Sequence, residues 1–221
     1  PNVGRQDALF LADKQSIRLL ELLAEEPMPY RTAITVLLFT GMRRGELLGL
    51  KWPDIRFENS TICIDRTLLY LPNKGLFEDD TKTTGSRRVI KAPQSAMLAL
   101  QAYQAWQTRQ RMQLGSAWGD SPYVFTSLEG QTMRPDTLTN WFHSFIQRTD
   151  LPPIHLHSLR HTNATLQIAN GVPLTTVAGN LGHADSATTT KIYAHAIQSA
   201  AAASAQMMDD LLNPMADKRR P

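Results

Sequence analysis

Between residues 55 and 92 the chain changes texture. Upstream, apolar residues recur at helical spacing; within this stretch they are β-branched and alternate with polar ones; after Pro93 the helical spacing returns. A period of two lines one face of a strand, and a period of 3.6 lines one stripe of a helix, so the two textures cannot exchange roles. A chain of this kind has to segregate a small strand-rich unit from a larger helical body. The expected fold class is α+β, mainly α: a helical domain with a small antiparallel β-sheet on one side.

Leu19, Leu20, Leu22 and Leu23 mark a helix over residues 13–25, ended by Pro27 and Pro29. A buried helix follows over 31–40 and closes at Gly41. Residues 43–50 form a short helix that stops before Trp52-Pro53, because the residue preceding a proline leaves the α region. Strands are expected over 55–57, 61–70 and 87–90, with 71–80 an excursion longer than a tight hairpin needs. Further helices are expected over 94–114, 137–148, 157–169, 173–181 and from 187 onward, with 123–125 a short buried segment. Gly171 and Gly182 stand where helices stop.

With 221 residues and 42% hydrophobic content the chain can bury one full core. It contains no apolar run of bilayer-spanning length, and its first residues lack the charged start and apolar middle of a signal peptide, so a cytoplasmic protein is expected. The single cysteine, Cys63, excludes an internal disulfide and a cysteine-based zinc site, and reads as a small strand hydrophobe. A formal charge of +3 says little about partners. Placement says more: Arg43, Arg44, Lys51 and Arg56 cluster, as do Lys82, Arg87, Arg88 and Lys91.

The chemistry concentrates in residues 157–193. His157, Arg160 and His161 stand at i, i+3 and i+4 and so share one helix face. His183 follows the Gly182 stop, and Tyr193 comes ten residues later. The planar fork of arginine matches the non-bridging oxygens of a phosphodiester in a way lysine cannot, which makes Arg160 and, far upstream, Arg43 the candidate phosphate ligands. Arg44 is adjacent to Arg43 but directed about 100° away around a helix. Tyr193 is a candidate nucleophile, since an arginine-rich pocket lowers the cost of a phenolate. The departing 5′-oxygen needs a proton, and Lys82, in the turn after Asp80, is an exposed donor at a hairpin tip. Two other readings compete. Residues 157–181 could imitate a helix-turn-helix of a DNA-binding regulator, which leaves Lys82 and Tyr193 unexplained. The gathering of His155, His157, His161, His183 and His195 could hold a metal, yet no HExxH glutamate lies between His157 and His161.

Thr40-Gly-Met-Arg43-Arg-Gly-Glu46-Leu-Leu-Gly-Leu-Lys-Trp52, Thr81-Lys82-Thr83, His157-Ser-Leu-Arg160-His161-Thr162, Leu181-Gly-His183 and Ile192-Tyr193-Ala-His195 resemble the tyrosine recombinase, or phage integrase, family in order, spacing and flanking residues. The resemblance covers about residues 8–212 and is strongest to integrases of conjugative transposons and temperate phages. It implies that Arg43 and Arg160 bind the scissile phosphate, Lys82 is the general acid, His157 contacts the phosphate and serves as base, His183 contacts the phosphate, and Tyr193 attacks. Glu46 and His161 match supporting positions. Arg44, Lys51, Arg87 and Arg88 are the expected DNA contacts. The reaction this implies is site-specific cutting and rejoining of DNA through a 3′-phosphotyrosine, with no metal, cofactor or ATP; a type IB topoisomerase shares the chemistry. The implied partners are double-stranded DNA at element ends and target sites, further copies of the chain in a tetrameric synapse, and an accessory excision factor, but no membrane, in a nucleoid-associated cytoplasmic protein. The expected organisation is a linker remnant over 1–12 after a missing N-terminal DNA-binding region, suggested by Pro1 in place of methionine, a catalytic domain over 13–195, and a C-terminal helix and basic tail over 196–221 that docks on a neighbouring subunit.

Overall fold

The computed structural model describes residues 10–80, 87–182, 207–208 and 212. Lys82, His183 and Tyr193, and most of the tail expected to dock on a neighbour, lie outside the described residues. Helix α1 (Asp13–Leu23) buries Ser16, Leu19 and Leu23, one stripe at helical spacing, while Ile17 stays exposed. Helix α2 (Met28–Thr40) is buried on nearly every side, through Ala33, Ile34, Val36, Leu37 and Leu38. Its sequence begins three residues before the expected start. Pro29 lies in the first turn, where a missing N–H costs nothing, so the proline pair opens a helix as well as ending one. Gly41 closes α2 in the left-handed region at φ 65°, its N–H on the Leu37 carbonyl at 2.9 Å. The chain then turns into α3 (Arg44–Leu48).

A short 3-10 turn, Trp52–Asp54, leads into the strands. β1 (Ile55–Arg56), β2 (Thr61–Ile64) and β5 (Arg88–Lys91) form an antiparallel sheet in the order β1-β2-β5, with Ile62 opposite Ile90 and Ile64 opposite Arg88. β3 (Arg66–Leu71) and β4 (Gly75–Asp80) form a separate two-stranded hairpin. Two expectations are corrected here. The run over 61–70 is two strands divided at Asp65, and the presumed excursion over 71–80 contains β4, turning at Gly75 with φ 73°. Its Glu78-Asp79-Asp80 end looked unlike a strand, because it pairs along a solvent-facing ribbon and needs no apolar alternation. The overall class, a mainly helical domain with small antiparallel sheets, is as expected.

α4 (Gln94–Leu114) packs on one flank of α2, and α6 (Leu156–Ala169) packs on another. Between them in sequence, Val124 and Phe125 are fully buried, and α5 (Pro135–Gln147) packs against α3 and β3. α7 (Leu174–Leu181) folds back on α6 and touches β5. α6 serves two cores: Leu156 and Leu159 enter the main one, whereas Ala164 and Ile168 join Val177 and Leu181 in a smaller one. The end of α2, the start of α3, one edge of β5, α6 and the end of α7 therefore converge. No helix of the described residues is long and apolar enough to cross a membrane.

Candidate active site

Arg43 precedes α3 in extended conformation, and Glu46, on the first turn, reaches back to it. The Glu46 carboxylate accepts from the Arg43 backbone N–H at 2.8 Å and from Arg43 Nη1 at 2.9 Å. A carboxylate at this place also meets the positive end of the helix. Its second partner is Arg88, whose Nη1 and Nη2 donate to both Glu46 oxygens at 3.0 and 2.8 Å, a bidentate fork. Glu46 is only 2% exposed. Burial pushes its carboxyl up, but the Arg88 hydrogen bond and charge, with Arg43 adding to them, outweigh burial and hold it below the ordinary range, so it stays ionised.

Arg160, on α6, is 3% exposed. Its Nη1 donates to the Gly41 carbonyl at 2.8 Å and its Nη2 to the Leu181 carbonyl at 2.7 Å, tying the end of α2 to the end of α7. Arg88 Nε donates to the Asn180 carbonyl at 2.8 Å, and Arg43 Nη2 approaches that of Gly182 at 3.5 Å. Next to Arg160 on α6, the His157 and His161 rings meet edge to face, centroids 4.7 Å apart. Burial, and then the charges of Arg160 and Arg43, lower the pKa of His157. Burial, then His157 and Arg160, push His161 down to about 4. Both imidazoles are therefore neutral at pH 7. Arg43 keeps 44% of its side chain exposed, against 8% for Arg88. The arrangement can present one half-exposed guanidinium, one buried guanidinium and a neutral imidazole, able to accept a proton, to an anion at the surface.

A cavity of about 560 Å³ between α1, α2, α6 and β5 is lined by Leu20, Phe39 and Leu166 among others and includes neither Arg43, His157 nor Arg160.

Residues 10–199 match the phage integrase family. The chain belongs to this family. It is 33% identical over 191 residues to a XerC-like tyrosine recombinase of Caldanaerobacter subterraneus subsp. tengcongensis, a match covering 81% of this chain and 49% of that protein. It is 28% identical to the ICEBs1 integrase of Bacillus subtilis, covering 94% of this chain and 56% of the relative. The chain spans about half the length of the curated relatives it matches. Among solved structures, the Tn1549 transposon integrase in complex with transposon right end DNA superposes with a TM-score of 0.80 at 22% identity, covering 94% of this chain and 68% of that one. The XerA recombinase gives a TM-score of 0.68 at 25% identity, covering 93% and 65%.

In this phage integrase family domain, the sequence-expected residues Arg43, Glu46, His157, Arg160 and His161 come together. Lys82, His183 and Tyr193 lie outside the described residues. Of the four expected DNA contacts, Arg44 faces α5, donating to the Pro135 carbonyl and the Thr139 hydroxyl. Lys51 is bound to Glu78 at 2.6 Å and lies over the Tyr123 ring. Arg87 is exposed beside β5. Arg88 points inward, onto Glu46 and the end of α7. Strand alternation carried that signal, since Arg88 lies two residues before buried Ile90 and shares its face, while Val89 between them is 64% exposed.

Proposed function

We propose that this chain is the catalytic part of a site-specific DNA recombinase, an integrase that moves a mobile element by cutting and rejoining double-stranded DNA through a 3′-phosphotyrosine. The observation that carries the reading is the meeting of Arg43, His157 and Arg160 at one surface, from segments joined by hydrogen bonds spanning up to 139 residues. A phosphodiester fits that surface because Arg43 and the charge of Arg160 oppose the negative charge that grows on the non-bridging oxygens.

In the proposed reaction the Tyr193 oxygen attacks the scissile phosphorus. Its proton passes to neutral His157, the bond from phosphorus to the Tyr193 oxygen forms, and the bond to the 5′-oxygen breaks. Lys82 gives that oxygen its proton. His183 adds a hydrogen bond to the phosphate. The tyrosyl ester preserves the energy of the broken bond, so a 5′-hydroxyl from a second strand can reverse the step without ATP, and no metal is needed. Recombination in this reading uses four copies of the chain around two duplexes, with the segment after His195 docking between copies, and works in the cytoplasm at the nucleoid. Residues 1–12 act as a linker from an N-terminal DNA-binding region, and an accessory factor selects excision. Arg87 serves as a DNA-backbone contact in this reading, supported by its exposure.

The test is a nicked suicide duplex carrying candidate element ends, incubated with the protein and resolved on a denaturing gel. A covalent protein–DNA adduct is expected with the parent chain, equally in EDTA. With Tyr193→Phe the adduct disappears while DNA binding persists. An adduct at the parental level from Tyr193→Phe would remove Tyr193 as the nucleophile, and a strict need for added metal would overturn the metal-free step.

A further inference from the structure

Three consecutive carbonyls at the end of α7 are taken by three different arginines. Asn180 accepts from Arg88 Nε at 2.8 Å, Leu181 from Arg160 Nη2 at 2.7 Å, and Gly182 from Arg43 Nη2 at 3.5 Å. A helix C-terminus leaves its last carbonyls without intrahelical partners and carries partial negative charge, so it attracts cations. Two of these arginines are phosphate ligands in the reading above. Arg88 has no part in that reaction, yet it is joined to Arg43 through Glu46. Its guanidinium holds both oxygens of Glu46, and Glu46 holds Arg43 by the backbone N–H and by Nη1. Its plane also lies against Gly182, where a Cβ would come 2.7 Å from Arg88 Nη1. Arg88 reaches this point from β5, whose pairing with β2 fixes it opposite Ile64.

Glu46 is nearly fully buried and ionised, so it needs a counter-charge. Arg88 supplies one bidentately from inside the fold. Arg43, on the solvent side, is then held by its Nη1 bond to Glu46 at 2.9 Å and a longer 3.5 Å approach of Nη2 to the Gly182 carbonyl, and its half-exposed guanidinium keeps donor capacity facing outward. Without Arg88, Glu46 would draw the Arg43 guanidinium inward to neutralise itself, and the end of α7 would lose a clamp.

We infer that Arg88 is a positioning residue: acting through Glu46, it sets the Arg43 guanidinium against the scissile phosphate and fixes the end of α7 just before His183. This rests on the reading of Arg43 as a phosphate ligand. It differs from a direct DNA contact in what it predicts for binding.

The experiment measures single-turnover cleavage of the same nicked duplex, and its binding as a function of salt, for Arg88→Gln, Arg88→Lys, Arg43→Lys and the double variants. Arg88→Gln is expected to slow cleavage by roughly 10- to 100-fold, as a small misplacement of a catalytic group does. Its affinity for the duplex and the slope of log K against log salt should stay at the parental values. In the Arg43→Lys background Arg88→Gln should add less than about threefold, because its effect passes through Arg43. If Arg88→Gln does not fold, Arg88→Lys carries the comparison, since it keeps the charge but cannot bridge both Glu46 oxygens and the Asn180 carbonyl. Losses that multiply in the double variant would overturn the inference, as would cleavage at the parental rate. So would a salt slope shallower by about 0.9, the mark of a lost phosphate contact. Arg43→Lys cleaving at the parental rate would instead sink the assignment of Arg43 itself.

Discussion

Arg160 shows why a charge that is nearly out of water can still be tolerated: its donors end on the carbonyls of Gly41 and Leu181, so burial is compensated by charged hydrogen bonds. Lysine has a point charge and cannot hold both carbonyls. Arg160→Lys is therefore expected to slow cleavage by roughly 10²–10³-fold and to lower stability by about 1–3 kcal/mol, measured by single-turnover cleavage and denaturant unfolding. Arg44→Lys is the control, and a change within about twofold is expected, because Arg44 bonds α5 and not the cluster. The histidines make a pH prediction. His161 has a folded pKa of about 4 against an ordinary 6.5, and His157 is lowered as well, so the fold prefers both neutral. The His161 contribution is present above pH 6.5 and is lost as pH falls through about 4, because the unfolded chain takes up protons first; that of His157 is lost in the same direction, below pH 6.5. Glu46 and Glu78, both held below 4.5, add their losses only beneath that value. The thermal midpoint should fall between pH 6.5 and 4.5, and His161→Gln should flatten that fall; an unchanged slope would locate the proton uptake elsewhere.

At the scale of elements, the joint between α2 and α3 depends on one glycine. Gly41 is left-handed, and a Cβ there would come 2.7 Å from both Asn163 Oδ1 and Leu181 Cδ2. Asn163 in turn donates to the Leu38 carbonyl and accepts from Gln167. Gly41→Ala is expected to cost at least about 1–2 kcal/mol from backbone strain alone, lowering the thermal midpoint by roughly 2–8 °C. Cleavage should fall with it, since the Gly41 carbonyl holds Arg160; a fully active Gly41→Ala would show that this joint does not set the site. The β3–β4 ribbon is fastened differently. Glu78 receives Lys51 and the Tyr123 hydroxyl at 2.6 and 2.8 Å, and Arg66 bonds Asp54 and the Gly49 carbonyl. The ribbon is thus pinned to the C-terminal end of α3, whose other end carries Arg43.

Across the whole molecule, α4 and α6 lie on the flanks of α2, and α6 carries His157, Arg160 and His161 on the same helix that contributes to both cores. Site and stability are therefore not separable along α6. Of the residues after Gly182, the described Met207, Met208 and Leu212 are 55, 50 and 73% exposed. Exposed apolar residues at helical spacing suit a partner's surface. Truncation after His195 is expected to abolish the multi-subunit complex on DNA, seen by sedimentation, while the monomer still binds. An unchanged complex would refute docking between copies.

The sequence alone determined the helical periodicities and the single strand-rich interruption, because periodicity is a local property of a chain; Arg43, His157 and Arg160 stood out by their chemistry and spacing, and Glu46 by family resemblance. Helix α4 was legible to its end residues for that reason. Tertiary structure decided the partners. That Arg88 faces Glu46, that Arg44 faces α5, and that three arginines share the end of α7 all follow from packing between segments far apart in sequence, and a run of basic residues looks the same whether its members meet solvent, DNA or a buried carboxylate. The polar β4 strand was missed for a related reason: its order comes from pairing with β3 across a turn, and nothing in its own residues repeats with the strand period.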